Sequence, residues 1–166
     1  MTVRLPIIDA ARCSSCGGEC CKRMPGSATP ADFPDLAVLE EAIRGGRWTL
    51  DCWDGDVEPG GDLHRVLYPR PAIKGYTHNA MHAAWRGPCT FHGPTGCALE
   101  YAERPEQCRE LVLGAEEAGC HSDLTKEAVA LLWRPHAAAL EAMLARIDDE
   151  RRIDLVGRFA QIEARL

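Results

Sequence analysis

Hydrophobic positions recur most clearly in the last third of the chain. Apolar side chains between positions 140 and 147 are spaced i, i+3, i+4 and i+7, which predicts the buried face of an amphipathic helix. Pro135 separates this stripe from Ala128–Trp133, and proline removes a helical hydrogen bond, so two helices or one kinked helix are expected. The stripe is Leu140, Met143, Leu144 and Ile147, and a further one is Leu155, Phe159, Ile162 and Leu166.

A shorter helix is predicted after residue 28. The segment Thr29-Pro30-Ala31-Asp32 resembles a helix start, with a threonine cap, proline at the first helical position and a carboxylate at the third. Pro34 is close enough to this start to be tolerated. The apolar stripe of this helix is Leu36, Leu39 and Ile43, and Gly45-Gly46 supplies the stop.

A hairpin is predicted next. Residues 47–53 alternate and are rich in strand formers, and the Asp-Gly-Asp sequence at 54–56 signals a turn. Residues 63–68 form the predicted partner strand, ended by Pro69 and Pro71. The remaining segments, residues 1–28 and 69–100, are expected to be irregular.

Composition changes this picture only by exclusion. The chain has 166 residues, which fits one domain, and a net charge of −6, which argues against a sequence-independent nucleic-acid binder because such a protein needs a basic face. No apolar run is long enough for a signal peptide or for the roughly 20 residues of a membrane span. We therefore expect a cytoplasmic protein that contacts neither nucleic acid nor membrane, with a protein partner left open.

Nine cysteines carry the candidate chemistry. Four lie within nine residues near the start, four form a second block, and Cys52 stands alone between the blocks. In a reducing cytosol such cysteines are more often metal ligands or redox thiols than disulfides, and an odd count fits a complete disulfide set poorly. The predicted metal ligands are Cys13, Cys16, Cys20, Cys21, Cys89, Cys97, Cys108 and Cys120.

The spacing inside the first block favours metal. In Cys13-x2-Cys16 the two intervening residues let both sulfurs converge on one ion, and the glycine pair that follows lets the backbone curl closely. The adjacent Cys20 and Cys21 should diverge, because neighbouring side chains point apart in a helix and in a strand. We therefore expect them to serve two sites, or one of them to pack, with ligands shared between the two blocks.

Other interpretations of these residues remain open. Cys13 and Cys16 could form a thioredoxin-like dithiol, although no βαβ pattern precedes them. Cys52, on a predicted strand, is interpreted as a buried free thiol. His92 and His121 could be ligands, although for His92 a loop or outer position is favoured.

The two blocks together resemble a known family. The order Cys-x2-Cys-x3-Cys-Cys, followed by Gly-Cys-x3-Tyr-x2-Arg-Pro-x2-Cys-Arg, resembles the YkgJ-like cysteine-cluster family, described as a zinc- or iron-chelating domain. The resemblance runs from about residue 13 to residue 120. It departs at Cys120, because the family often places its last cysteine only a few residues after the Cys-Arg pair. The matching residues are Cys13, Cys16, Cys20, Cys21, Cys89, Gly96, Cys97, Tyr101, Arg104, Pro105, Cys108 and Arg109.

This resemblance implies a metal or iron–sulfur protein. Flagellin lysine methylases carry a similar pattern within longer chains, so a cluster-dependent modifying enzyme is the alternative function. Against an enzyme, the sequence has no nucleotide-binding glycine loop and no convincing acid–base pair. Arg104 and Arg109, which flank Cys108, could bind a cluster or an anion, or could simply open a short helix and form surface ion pairs.

The sequence thus predicts a small, loop-rich α+β fold nucleated by metal. Residues 1–122 are the expected cysteine-cluster domain, and residues 123–166 are a helical segment packed on it within one domain overall. The expected cofactor is a [4Fe–4S] cluster or zinc, since thiolate ligands suit both. The tight Cys-x2-Cys-x3-Cys spacing favours the cluster slightly.

Overall fold

The computed structural model describes residues 16–55, 65–83, 86–113 and 120–163, with only the backbone of residues 112–113 and 155–163. The helices are α1 (Glu19–Arg23), α2 (Leu36–Arg44), α3 (Glu106–Arg109), α4 (Lys126–Trp133) and α5 (Ala137–Glu163), with 3-10 turns at Tyr101–Glu103 and Arg134–His136. The strands are β1 (Trp48–Trp53), β2 (Val66–Pro71), β3 (His92–Gly93), β4 (Gly96–Cys97), β5 (Val112–Leu113) and β6 (Cys120–His121). They pair antiparallel as β1–β2, β3–β4 and β5–β6.

The hairpin of β1 and β2 lies at the centre of the fold, and its second strand differs from the predicted one. Pro69 and Pro71 do not end β2 but belong to it. The Ala72 N–H donates to the Arg47 carbonyl of the β1 side at 2.8 Å. Because the backbone N–H direction alternates along a strand, the nitrogens of Pro69 and Pro71 point to the opposite side, away from β1. The β1–β2 pairing needs no donor on that side, so both prolines are tolerated. On that outer side the Pro69 carbonyl accepts from the Ala28 N–H at 2.9 Å.

Helix α2 begins later than the predicted start at Thr29. Residues 29–32 form a turn instead, in which the Thr29 N–H donates to Asp32 Oδ2 at 2.9 Å. The expectation that Pro34 is tolerated was wrong, because proline disfavours the helical conformation of the residue before it. Asp35 becomes the N-cap, and its side chain accepts from the Ala37 N–H at 2.8 Å.

The rest of α2 follows the prediction. Leu39 and Ile43 are fully buried, and Leu36 packs at the edge of the core. Gly45 caps the helix, and Gly46 has a φ of 76°, which a side chain would disfavour.

One hydrophobic core joins the hairpin, α2 and the C-terminal helices. The predicted stripe on α5 is confirmed, since Leu140, Met143 and Ile147 are buried and Leu144 packs beside them. The break near Pro135 is confirmed as a 3-10 turn between α4 and α5. The predicted stripe from residue 155 onwards lies outside the side chains that the structure describes.

A buried ion pair holds the centre of the hairpin. Arg70 and Asp51 are 0% and 3% exposed, and Arg70 Nε donates to Asp51 Oδ2 at 2.6 Å. The other guanidinium nitrogens donate to the carbonyls of Pro71 and His82. Segment 80–82 runs beside β1, where the His82 N–H donates to the Leu50 carbonyl at 2.9 Å. The buried charges are thus paired and hydrogen-bonded, as burial requires.

The structure confirms a small fold of mixed helices and strands. The core includes residues on both sides of position 122, from Ala28 to Ile147. Among the described residues, no helix combines the length and apolar character needed to cross a membrane.

Glu40 provides a test of how α2 is held on α5. Its carboxylate accepts from Arg44 on its own helix at 2.5 Å and from Arg146 of α5 at 2.6 Å. Both hydrogen bonds lower the pKa of Glu40, and the bond from Arg146 has the larger effect. Glu40→Gln should therefore lower the free energy of unfolding at pH 7 by roughly 0.5–1 kcal/mol. Because the folded-state pKa lies below the unfolded value, this difference should shrink as pH falls through the folded pKa.

Urea denaturation at a series of pH values measures the difference. Glu41→Gln is the matched control, since Glu41 is exposed and lies 3.8 Å from Arg44 without reaching α5. A difference between wild type and Glu40→Gln that does not depend on pH would contradict the assignment.

Candidate metal centre

The central hairpin positions the first cysteine of the second block. Beyond β2 the chain pairs with residues 88–90, where the Thr90 N–H donates to the Ala72 carbonyl at 2.9 Å and Ile73 forms a bridge with Cys89. Cys89 is 4% exposed, so its thiol faces the interior. The segment that the sequence predicted to be irregular is thus fixed by backbone pairing to the hairpin.

The same segment carries the first cysteine block. The Cys89 N–H donates to the Cys21 carbonyl at 2.7 Å, and the Gly87 N–H donates to the Arg23 carbonyl at 2.8 Å. Both acceptors lie in α1, a short helix within the region predicted to be a loop. The glycine pair before α1 behaves as expected, since Gly17 and Gly18 have positive φ angles of 63° and 70°.

The β3–β4 hairpin brings Cys97 to the first block. Its register pairs His92 with Cys97, and His92 Nε2 lies 2.9 Å from the Gly17 carbonyl. A side chain at Gly18 would lie 3.1 Å from both Gly96 Cα and the His92 ring, so only glycine fits this contact comfortably. His92 therefore holds the first block from outside, which agrees with the favoured outer position.

Helix α3 presents Cys108 and is tied to the segment before α2. Asp32 Oδ2 accepts from the Glu106 N–H at 2.8 Å. The Gln107 side chain accepts from the Ser27 N–H and donates to the Leu124 carbonyl, each at 2.6 Å. A helix of four residues is not stable by itself, so these long-range hydrogen bonds determine where Cys108 lies.

Thiols from both blocks therefore converge. Cys20, Cys21 and Cys97 lie close enough to change one another's pKa, and Cys89 and Cys108 interact electrostatically with this group. Among the cysteines in the described ranges, the structure brings together two from the first block and three from the second. They are Cys20, Cys21, Cys89, Cys97 and Cys108.

The thiols of this group influence one another's ionisation. Interaction with the Cys21 thiol lowers the pKa of both Cys20 and Cys97, and interaction with these two, followed by burial, raises the pKa of Cys21. Burial raises the pKa of Cys89 to about 11 and that of Cys108 to about 12. Cys20 and Cys21 were expected to diverge, but each thiol changes the pKa of the other, so the two lie near each other.

Cys120 faces the same group across a cavity. It lies in β6, paired with Leu113 of β5. The cavity measures about 270 Å³, and its wall includes Cys20, Cys21, Cys108 and Cys120. The departure of Cys120 from the family spacing therefore does not carry it away from the other cysteines.

The remaining cysteines are placed differently. Cys13 lies outside the described residues, and Cys16 is exposed on the turn before α1. Cys52 is half-buried in β1 with its thiol 3.8 Å from Asp54 Oδ2, and burial followed by Asp54 raises its pKa. Cys20, Cys21, Cys52, Cys89, Cys97 and Cys108 form no disulfide, and within the described ranges no group of three or more His, Cys, Asp or Glu side chains is arranged to hold a metal ion. The thiols therefore converge without forming a ligand shell.

The two arginines proposed as cofactor-binding residues differ. The Arg109 guanidinium lies 2.7 Å from Asp32 Oδ1 and donates to the Arg104 carbonyl, which matches the interpretation as a structural ion pair. Arg104 is buried and its Nε donates to the Leu99 carbonyl at 3.1 Å. Its charge also contributes to lowering the pKa of Cys97. Arg104 is therefore the arginine placed to interact with the thiols.

Several residues that organise the site were not identified from the sequence. Asp32 was assigned to a helix start, but its carboxylate also captures α3 from 74 positions away. Nothing local in the sequence marks Gln107. The sequence did mark Arg70, because this arginine follows the apolar residues Val66–Tyr68 closely and a buried arginine must be paired. Lys126 lines the thiol cavity, and burial lowers its pKa.

No known protein family, curated protein or solved structure matches this chain.

The contact between Gly26 and Cys108 provides a test of the geometry. A Cβ atom at Gly26 would overlap Cys108 Sγ and lie 3.3 Å from the Cys108 nitrogen. Gly26→Ala should therefore push the Cys108 thiol out of the group and make it react faster with a thiol-alkylating reagent, measured by mass spectrometry. Gly45→Ala is the control, because its nearest neighbours lie at 3.4–3.5 Å and far from the cysteines. Equal rates of Cys108 alkylation in both variants would contradict the placement of Cys108.

Proposed function

We propose that this protein holds a thiolate-ligated metal centre, an iron–sulfur cluster or zinc, with ligands from both cysteine blocks. The observation that carries this proposal is the convergence of Cys20 and Cys21 with Cys89, Cys97 and Cys108. These segments are separated by about 70 residues in sequence, and the backbone bond from Cys89 to Cys21 brings them together. Soft sulfur donors gathered in this way suit zinc, copper(I) and iron–sulfur clusters.

The number of thiols does not distinguish the two metals. A structural zinc ion and a [4Fe–4S] cluster each take four cysteine ligands, so the five converging thiols, with Cys120 on the wall of the neighbouring cavity, suffice for either. The tight Cys-x2-Cys-x3-Cys spacing favours the cluster, and zinc is the alternative.

The donor chemistry fits a cation in place of thiol protons. Cys21 has a single S–H and lies near the sulfurs of Cys20 and Cys97, where a metal would replace that proton as the positive charge. Cys89 is buried and Cys108 half-buried, and burial raises the pKa of both thiols, so they are costly to ionise without a cation. Cys20, Cys21, Cys89, Cys97 and Cys108 are therefore the proposed ligands, with Cys13, Cys16 and Cys120 as further candidates.

The resemblance to the YkgJ-like family supports the same class of function. A bound cluster would supply one-electron transfer, and zinc would supply a structural cross-link. The enzyme alternative has no specific support in the described residues. Anaerobic purification with metal analysis, acid-labile sulfide and an optical spectrum distinguishes the two metals: brown protein with iron and sulfide selects the cluster, and colourless protein with stoichiometric zinc selects the zinc site.

Single cysteine substitutions test the ligand set. Cys97→Ser and Cys108→Ser should each lose most of the bound metal, because an alcohol is a poor ligand for a soft site. Cys52→Ser is the matched control and should keep it, since Cys52 interacts with Asp54 rather than with the converging thiols. Metal per folded chain is the readout, with circular dichroism to confirm folding. If Cys52→Ser loses metal as completely as Cys97→Ser does, the ligand assignment is wrong.

Metal removal tests whether the centre stabilises the fold. Structural thiolate sites contribute on the order of 10 kcal/mol, comparable to the stability of a whole domain. A chelator should therefore reduce amide-exchange protection in segments 13–28 and 85–110 more than in α4 and α5. Hydrogen–deuterium exchange with mass spectrometry on the full chain measures this. Identical exchange with and without the chelator would refute the structural role.

A further inference from the structure

A second, larger cavity lies beside the second block and contains no cysteine. It measures about 770 Å³, within the range of small-molecule sites. Its wall comes from the turn before α2, from α2 itself, from the start of β1 and from the segment between Phe91 and Arg109. The metal proposal makes no use of this cavity.

Aromatic rings form one side of the cavity. Trp48 lies between Phe33 and Phe91, with ring centroids 4.8 Å and 6.0 Å away and edge-on geometry in both pairs. All three residues line the cavity, and both phenylalanines are anchored in the interior. Such a rigid wall packs best against a flat apolar ring.

The charged side chains of the cavity fall into two groups. Asp32 and Arg109 pair with each other at 2.7 Å, so they are already neutralised. Arg47 and Glu103 are exposed, and among the residues described neither side chain has an ion-pair partner. The Arg47 guanidinium lies 4.1 Å from the centroid of the Phe91 ring, which holds the cation at the aromatic wall.

We propose that this cavity binds planar aromatic carboxylates, and preferentially those that also carry a hydrogen-bond donor. The ring packs against Trp48, the half-exposed ring of the wall, and the carboxylate pairs with Arg47, whose planar fork matches a carboxylate in two hydrogen bonds. Glu103, an acceptor without a partner, receives the donor of the ligand. An amine would pair with Glu103 instead of Arg47, and only Arg47 is held at the aromatic wall, so an aromatic amine fits this pose less well. A puckered ring fits the flat wall less well.

Isothermal titration calorimetry on the full-length, metal-loaded protein tests this site with benzoate, 4-hydroxybenzoate and indole-3-carboxylate. Cyclohexanecarboxylate and benzylamine are the matched controls for ring shape and for charge. The aromatic acids should bind at millimolar or lower concentration, 4-hydroxybenzoate more tightly than benzoate, and the two controls should bind at least several-fold more weakly. Quenching of tryptophan fluorescence should accompany binding, because Trp48 lines the cavity.

Variants locate the binding. Arg47→Gln should weaken 4-hydroxybenzoate binding roughly tenfold or more, since a charge-assisted hydrogen bond is lost. Glu103→Gln should reduce the preference of 4-hydroxybenzoate over benzoate. Arg152→Gln, a surface arginine of α5 paired with Asp149, should leave binding unchanged. Metal content should be the same in all three variants, which separates this site from the metal centre.

Two outcomes overturn the proposal. One is the absence of binding by all three aromatic acids at millimolar concentration. The other is binding that is equal in wild type and Arg47→Gln, or equal for the aromatic acids and cyclohexanecarboxylate. Folding of Arg47→Gln is checked by circular dichroism, and the change is tolerable because the Arg47 side chain is exposed.

Discussion

The buried ion pair of Arg70 and Asp51 is the interaction on which the arrangement of the chain depends. Charges this deep are tolerated only when their hydrogen bonds are complete, because removing one partner leaves the other uncompensated. The Arg70 guanidinium meets this requirement by reaching Asp51, the Pro71 carbonyl and the His82 carbonyl. It therefore fixes the register of the hairpin and the loop beside it together. The pair specifies where these segments lie more than it adds net stability.

From this hairpin the placement of the cysteines follows through backbone bonds. The end of β2 continues into Ala72 and Ile73, which pair with the segment of Cys89, and Cys89 in turn binds the carbonyl of Cys21. The thiols of the two blocks meet because a rigid strand pair orders both segments. Metal ligation by this group, as proposed, would thus complete an arrangement that the hydrophobic core already orients, rather than create it from a random loop.

The elements that could be predicted are those governed by local periodicity. The α5 stripe depends on the spacing of apolar residues, and the break at Pro135 and the stop at Gly45-Gly46 depend on the local residue type. All three were predicted. The start of α2 and the end of β2 were missed because the effect of a proline depends on its surroundings. Pro34 disfavours a helical conformation at the residue before it, whereas the nitrogens of Pro69 and Pro71 face away from β1 and interrupt no hydrogen bond of the hairpin. The contacts of Gln107 with Ser27 and Leu124 are long-range, so no local pattern announces them.

The cysteine-bearing elements are individually too short to be stable. Helix α1 has five residues, α3 has four, and β3 and β4 have two each. Isolated helices and hairpins of this length are not stable in water, so these elements must be ordered by interactions with one another and with the rest of the fold. Side chain to backbone bonds from Asp32, Gln107 and His92 supply part of these interactions. These bonds hold the backbone but do not join the sulfurs, and a soft cation among those sulfurs would join the same short elements from the inside.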